Sequence, residues 1–92
     1  QYGLIAPNDR VAAELMRVLA SFRILPGKHV GIVSFDDDLW AAIDGLSTLH
    51  PPLEDMGKMA ATYLLDALQG RQLPMKTLLS GHIIPRSSTQ RK

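Results

Sequence analysis

Apolar residues in this chain fall into two kinds of run. Val11, Ala12, Leu15, Met16, Leu19 and Phe22 recur at three- and four-residue spacing, with Arg10, Glu14 and Arg17 facing away. That period predicts an amphipathic helix with one buried stripe. Asn8 is its natural N-cap, and Asp9 puts a negative charge in the first turn, where the helix dipole favours it. Leu25-Pro26-Gly27 stops it, because proline fixes its own φ and restricts its predecessor while glycine permits the turn. Val30 to Phe35 is short, β-branched and apolar on both alternating faces, which predicts a strand covered on both sides in a parallel sheet. The brief run Gly3-Leu4-Ile5-Ala6, ended by Pro7, predicts another strand ahead of the helix.

Strand, helix and strand in that order make a right-handed β-α-β crossover. Asn8 and Asp36 then follow the carboxyl ends of neighbouring parallel strands and reach one rim. Ligands in open α/β sheets bind beyond those ends, so a site is expected there.

Further along, Leu39 to Ile43 predicts a single helical turn packing the only tryptophan, Trp40, and Asp44-Gly45 marks a turn. Leu46 to Leu49 is a short extended piece. A second helix is expected from about Pro52 to Gln69, with Leu53, Met56, Ala60, Tyr63, Leu64, Ala67 and Leu68 on one face and Gly70 as its stop. Residues 77–84 carry enough apolar and β-branched side chains for a last strand, and the basic, polar tail from Pro85 is expected to fray.

Bulk composition narrows the classes. With 92 residues and 46% apolar content there is material for one core but not two. A net charge of +1, with 21% charged residues of both signs, gives no electrostatic case for direct contact with nucleic acid or a membrane surface. The absence of cysteine excludes disulfides and thiolate metal sites without deciding the compartment. The chain begins Gln1-Tyr2-Gly3 without an initiator Met, and it holds within it neither a basic-then-apolar leader nor a run long enough to span a membrane, so it is expected to be an excised segment.

Candidate chemistry is sparse. The seven glycines form neither a dinucleotide fingerprint nor a Walker loop. His29, His50 and His82 stand singly on different elements without zinc-type spacing, and the serines lack a nucleophile-elbow context. No catalytic residue, metal ligand or cofactor is therefore expected. Asp36-Asp37-Asp38 has a bland reading, a solubilising loop that caps the next helix. It also resembles superficially the Asp-x-Asp start of haloacid-dehalogenase-type phosphatases, in which adjacent carboxylates hold magnesium. That family puts Thr or Val after the motif and near its domain's beginning, whereas Leu39-Trp40 follows here. A third use needs no catalysis. Asp accepts hydroxyl hydrogen bonds, Asn both donates and accepts, and Phe35 and Trp40 can cover the apolar face of a sugar ring. Asn8 has two readings, an N-cap alone or a ligand contact.

Four motifs in order carry a family likeness: Asn8-Asp9-x-x-Ala12; Val30-x-Ile32-Val33-x-Phe35-Asp36-Asp37; Leu46-Ser47-Thr48-Leu49-x-x-Pro52-x-x-x-Met56-Gly57; and Ile83-Ile84-x-Arg86-x-Ser88-Thr89. Together they closely resemble the carboxyl-terminal portion of lactose-repressor/galactose-repressor (LacI/GalR) transcription regulators. Periplasmic sugar-binding proteins share the fold and the Asn-Asp helix start but usually lack the later motifs. The resemblance implies an α/β, periplasmic-binding-protein-like type I fold, a parallel sheet flanked by helices, here as a partial domain.

It also implies a non-enzymatic, cytoplasmic sensor. Asn8 and Asp36 would hydrogen-bond a sugar- or nucleoside-like effector, with Phe35, Asp37 and Trp40 adjacent. The first helix and residues 39–43 would contribute to a homodimer. DNA would be reached only through an amino-terminal helix-turn-helix outside this chain, with no membrane partner. Residues 1–92 would divide into a ligand-binding portion (1–45), a hinge crossover (46–50), a portion of the other subdomain (51–76) and a return strand with tail (77–92). Ser34, Gly45, Ser47 and Ser87 depart from the residues common in the family, but none removes a proposed ligand group.

Overall fold

The computed structural model describes residues 2–90. In chain order they form β1 (Tyr2–Ile5), α1 (Asp9–Ser21), β2 (Val30–Phe35), α2 (Leu39–Ile43), β3 (Ser47–His50), α3 (Leu53–Leu68) and β4 (His82–Ile84), then a 3-10 turn over Ser87–Thr89. The contact pattern separates two compact units, one made of the chain up to Pro51 together with His82 onward, the other of Pro52–Gly81.

In the first unit the four strands lie in the order β1-β2-β3-β4. β1 pairs parallel with β2, Ile5 opposite Val33, and β2 parallel with β3, Phe35 opposite Leu49. β4 pairs antiparallel with β3, His82 opposite His50. The sheet is thus mixed α/β with parallel pairing dominant. The last strand is shorter than the expected 77–84, because residues 77–81 belong to the other unit and have no strand beside them.

Asn8 caps α1 as its side chain predicts: its backbone is extended and its Oδ1 accepts the Val11 N–H at 2.9 Å. The core gathers Ala6, Ala12, Val30, Ile32, Ala41 and Leu46, with Leu15, Met16, Leu19 and Ile24 packed against it. Two members of the expected stripe lie outside it. Val11 is 47% and Phe22 71% exposed, since α1 turns the line through Asp9, Ala12 and Met16 onto β2 and Val11 sits about 100° around the helix from Ala12. β2 likewise buries one face, Val30, Ile32 and Ser34, while Gly31 and Val33 are half-buried.

The tail does not fray between Arg86 and Gln90. Ser88 is buried, donating its hydroxyl to Ile32 O at 2.7 Å and accepting the Ser47 N–H at 2.8 Å, while its own N–H meets Gly45 O at 2.8 Å. A short polar segment is held this firmly because it supplies partners to buried backbone groups in the middle of β2 and at the start of β3.

In the second unit α3 carries Glu54 and Asp55 in its first turn and ends at Gly70, whose φ of +75° suits the left-handed stop. Its expected apolar face is not buried: Leu53, Leu64 and Leu68 are 61%, 61% and 74% exposed. A lone helix with one connecting segment has no facing layer on which to bury that stripe. Lys58 pairs with Glu54 at 3.1 Å, Arg71 with Asp66 at 3.0 Å, and the Tyr63 hydroxyl bonds Thr77 Oγ1.

Candidate functional site

Parallel pairing of β1 and β2 brings the turns carrying Asn8 and Asp36 to the same edge of the sheet. Asn8 is half-buried and spends its carbonyl oxygen on the cap, which leaves its amide donors without a partner among the described contacts. Asp36 is exposed at φ +111°, a region non-glycine residues rarely enter, and its N–H donates to Leu49 O at 3.0 Å. Asp37 follows at φ +52°. Two successive left-handed residues are strain that the neighbouring contacts must hold in place.

Those contacts separate the three aspartates. Asp38 accepts the Trp40 N–H at 2.8 Å and so caps α2, the bland role open to it. Asp37 is committed to Arg86 and His50. Asp36 alone has a carboxylate with no partner among the described contacts. The three carboxylates are therefore not presented together, as a magnesium-holding phosphatase motif would require. Among the described residues no group of three or more His, Asp or Glu side chains converges on a point suited to a metal.

Asp9 has a larger role than a charge at a helix dipole. It is 4% exposed, and its Oδ1 accepts hydroxyls from Ser34 and, at 2.7 Å, from Thr48. Its Oδ2 accepts the Asp38 N–H at 2.7 Å. One buried carboxylate thus joins the start of α1 to β2, to β3 and to the strained turn. The signal was present in the sequence: Asp9 is three positions before Ala12 on the core-facing line of α1, and Ser34 continues the inward alternation of Val30 and Ile32.

Asp37 anchors the other side of the turn. Arg86 donates to its Oδ1 at 3.0 Å and to Leu46 O at 2.9 Å. The second oxygen takes the Nδ1–H of His50 at 2.8 Å, and since a carboxylate only accepts, that nitrogen carries the proton. The Asp37 N–H donates to Thr48 Oγ1 at 3.1 Å. Burial pushes the carboxyl of Asp37 up, but the hydrogen bonds from His50 and Arg86 and the charges of both outweigh it and hold it below the ordinary carboxylate value.

Two of the histidines are not solitary. The rings of His50 and His82 stack across β3 and β4 with centroids 5.1 Å apart and planes tilted by 46°. Strand register makes them partners, which spacing along the chain does not reveal. His29 stays alone, its Nδ1 accepting the Leu25 N–H at 2.8 Å.

Trp40 lies apart from Asn8 and Asp36 in its lining role. With Asp9, Arg10, Ala13, Asp38 and Asp44 it borders a hollow of about 420 Å³ on the α1 and α2 side. Phe35 is 40% exposed at the end of β2, directly before Asp36.

This arrangement, a sheet of dominantly parallel pairing with polar β-α turns at its carboxyl edge, is that of the periplasmic binding protein-like domain, whose family model matches residues 2–89. The chain belongs to that family, and within it the similarities run to LacI-type regulators. It is 34% identical over 89 residues to the HTH-type transcriptional regulator PtxS of Pseudomonas plecoglossicida, covering 94% of this chain and 26% of that protein. A sugar-binding transcriptional regulator of the LacI family from Escherichia coli, solved with phosphate, is 26% identical with a TM-score of 0.82, over 98% of this chain and 33% of that one. The Escherichia coli transcriptional repressor AscG is 27% identical with a TM-score of 0.79, over 96% of this chain and 33% of that one. The chain thus spans about a quarter of the curated relative and a third of these structures. Among the described residues no helix is long and apolar enough to cross a membrane.

Proposed function

We propose that this chain is the carboxyl-terminal part of the effector-binding domain of a LacI-type transcription regulator. A small polyhydroxylated effector, a sugar or nucleoside-like molecule, is held at the carboxyl edge by the Asn8 amide and the Asp36 carboxylate, with Phe35 beside its apolar face and Asp37 holding the turn, while Trp40 lies off this site on the α1 and α2 side. The observation that carries this reading is Asp36, a carboxylate without a partner among the described contacts, in a strained backbone held by the Asp36 N–H bond to Leu49 O and the Asp38 N–H bond to Asp9, at the same sheet edge as the unspent amide donors of Asn8. Strain of that kind is retained where a side chain must be presented in a fixed direction.

The rest of the reading rests on the family. The cleft is completed by another subdomain of the parent protein, and effector shifts the placement of the two. α1 and α2 form part of a homodimer contact. Their exposed Val11, Val18, Phe22, Leu39, Trp40 and Ile43 supply the apolar surface for it. DNA is read by a helix-turn-helix elsewhere in the parent protein, in the cytoplasm, and the chain catalyses no reaction. Transport-type sugar binding is the alternative that the fold also serves.

The test is thermal stabilisation of the full-length protein by a panel of pentoses, hexoses and nucleosides, with Asp36→Ala beside it. A stabilising compound that loses its effect in Asp36→Ala is the expected result. Equal response in both proteins removes Asp36 from the site.

A further inference from the structure

We propose that His50 and His82 form a protonation-sensitive latch on the two strands by which the chain leaves and re-enters its first unit, with the carboxylate of Asp37 as its anchor. The chain passes out of the first unit after Pro51 and returns at His82. His50 and His82 are the register partners closing the outer end of the β3–β4 ladder, so both crossings start from this one pair. The latch therefore acts where freedom of the connecting strands is set.

The chemistry follows from what surrounds the two rings. His50 Nδ1 donates to Asp37, which leaves its other nitrogen open, and its side chain is 41% exposed. His82 is exposed, and its ring makes no hydrogen bond among those described. Four charged or titratable groups belong to the cluster: Asp37 from the turn after β2, Arg86 from the segment after β4, His50 on β3 and His82 on β4. Asp38 is spent on its cap, and Asp36 makes no described contact with either ring. With His82 neutral, the Asp37 carboxylate answers both the Arg86 guanidinium and the Nδ1–H of His50, and the two rings face each other without like-charge repulsion. Imidazole protonates ordinarily between about pH 5 and 8. With both rings charged, three cations share a single carboxylate at a ring separation of 5.1 Å, and the ladder end is pushed apart.

Protonation thus loosens the last rungs of β3 and β4 while the Asp9 hub and the β1–β2 pairing, which contain no histidine, stay closed. The latch itself is independent of the effector reading; only its consequence, pH-dependent effector response, rests on it.

Hydrogen exchange on the full-length protein without ligand tests the latch. Protection factors at residues 49–50 and 82–83 are expected to fall about tenfold from pH 7.5 to pH 5.5, with the amides of β1 and β2 nearly unchanged. His82→Asn should hold protection at the high value at both pH values, and His82→Lys at the low value at both. A pH dependence that persists in His82→Asn, or its absence in the unaltered protein, overturns the proposal. So does a loss of protection at pH 7.5 on adding EDTA, which would mean a metal bridging the two rings. None of these outcomes depends on Asn8 or Asp36, so failure of the effector reading leaves the result intact.

Discussion

Thr48 Oγ1 donates to Asp9 Oδ1 at 2.7 Å, a bond between residues 39 positions apart that ties the first turn of α1 to β3. With Ser34 and the Asp38 N–H on the same carboxylate, the two turns of the candidate site are held by one buried acceptor.

Removing that acceptor should cost far more than removing the neighbouring cap. Asp9→Ala strands two buried hydroxyls and a part-buried N–H and is expected to destabilise by about 2–4 kcal/mol, while Asn8→Ala, losing one exposed cap bond, costs about 1 kcal/mol. Urea midpoints at unchanged slope would measure both; equal costs would refute the hub.

The carboxyl-terminal segment leaves no room for side chains at two glycines. A Cβ at Gly27 would lie 2.2 Å from the Ser87 carbonyl oxygen, and one at Gly45 would lie 2.2 Å from Ser87 Oγ. Gly27 also stands at φ +85° and Gly45 at φ +67°. Gly27→Ala meets backbone and should cost about 2–4 kcal/mol, whereas part of the cost of Gly45→Ala should be recovered by adding Ser87→Gly. Thermal melts of the three variants distinguish backbone from side-chain conflict.

Ser88 and Ser87 are adjacent hydroxyls with unequal burdens. Ser88→Ala removes a buried group that bridges Ile32 O and the Ser47 N–H, and should destabilise by about 1–3 kcal/mol. Ser87→Ala removes one exposed bond of 3.2 Å and should stay within about 0.5 kcal/mol of the parent.

Acid should act through Asp37. Its carboxyl is held below the ordinary value in the folded chain, so it binds protons more readily when unfolded. The stability it contributes is present above the unfolded value, near pH 4, and is lost as the pH falls through the lower folded one. Unfolding free energies between about pH 5 and 2 should fall less steeply in Asp37→Asn than in the unaltered protein. An identical slope would mean that the Arg86 and His50 contacts do not set its proton affinity.

Local chemistry alone determined much of this protein. The 3.6-residue period placed α1, the β-branched run placed β2, Asn8 declared the cap, Leu39 to Ile43 the short helix, and four ordered motifs declared the family. The crossover rule put Asn8 and Asp36 on neighbouring strand ends without any coordinates. What tertiary structure decided was how polar groups are shared out. Three aspartates side by side in the chain take three roles because Asp36 is left at the exposed edge, a guanidinium reaches Asp37 and a helix starts at Asp38. His50 and His82 meet only through an antiparallel register that no local spacing encodes. A polar tail becomes rigid because buried backbone groups of β2 and β3 need its hydroxyl. Periodicity is fixed by bonds between near neighbours and can be read from the chain; partnership between distant polar groups is set by which strands align, and that depends on the whole fold.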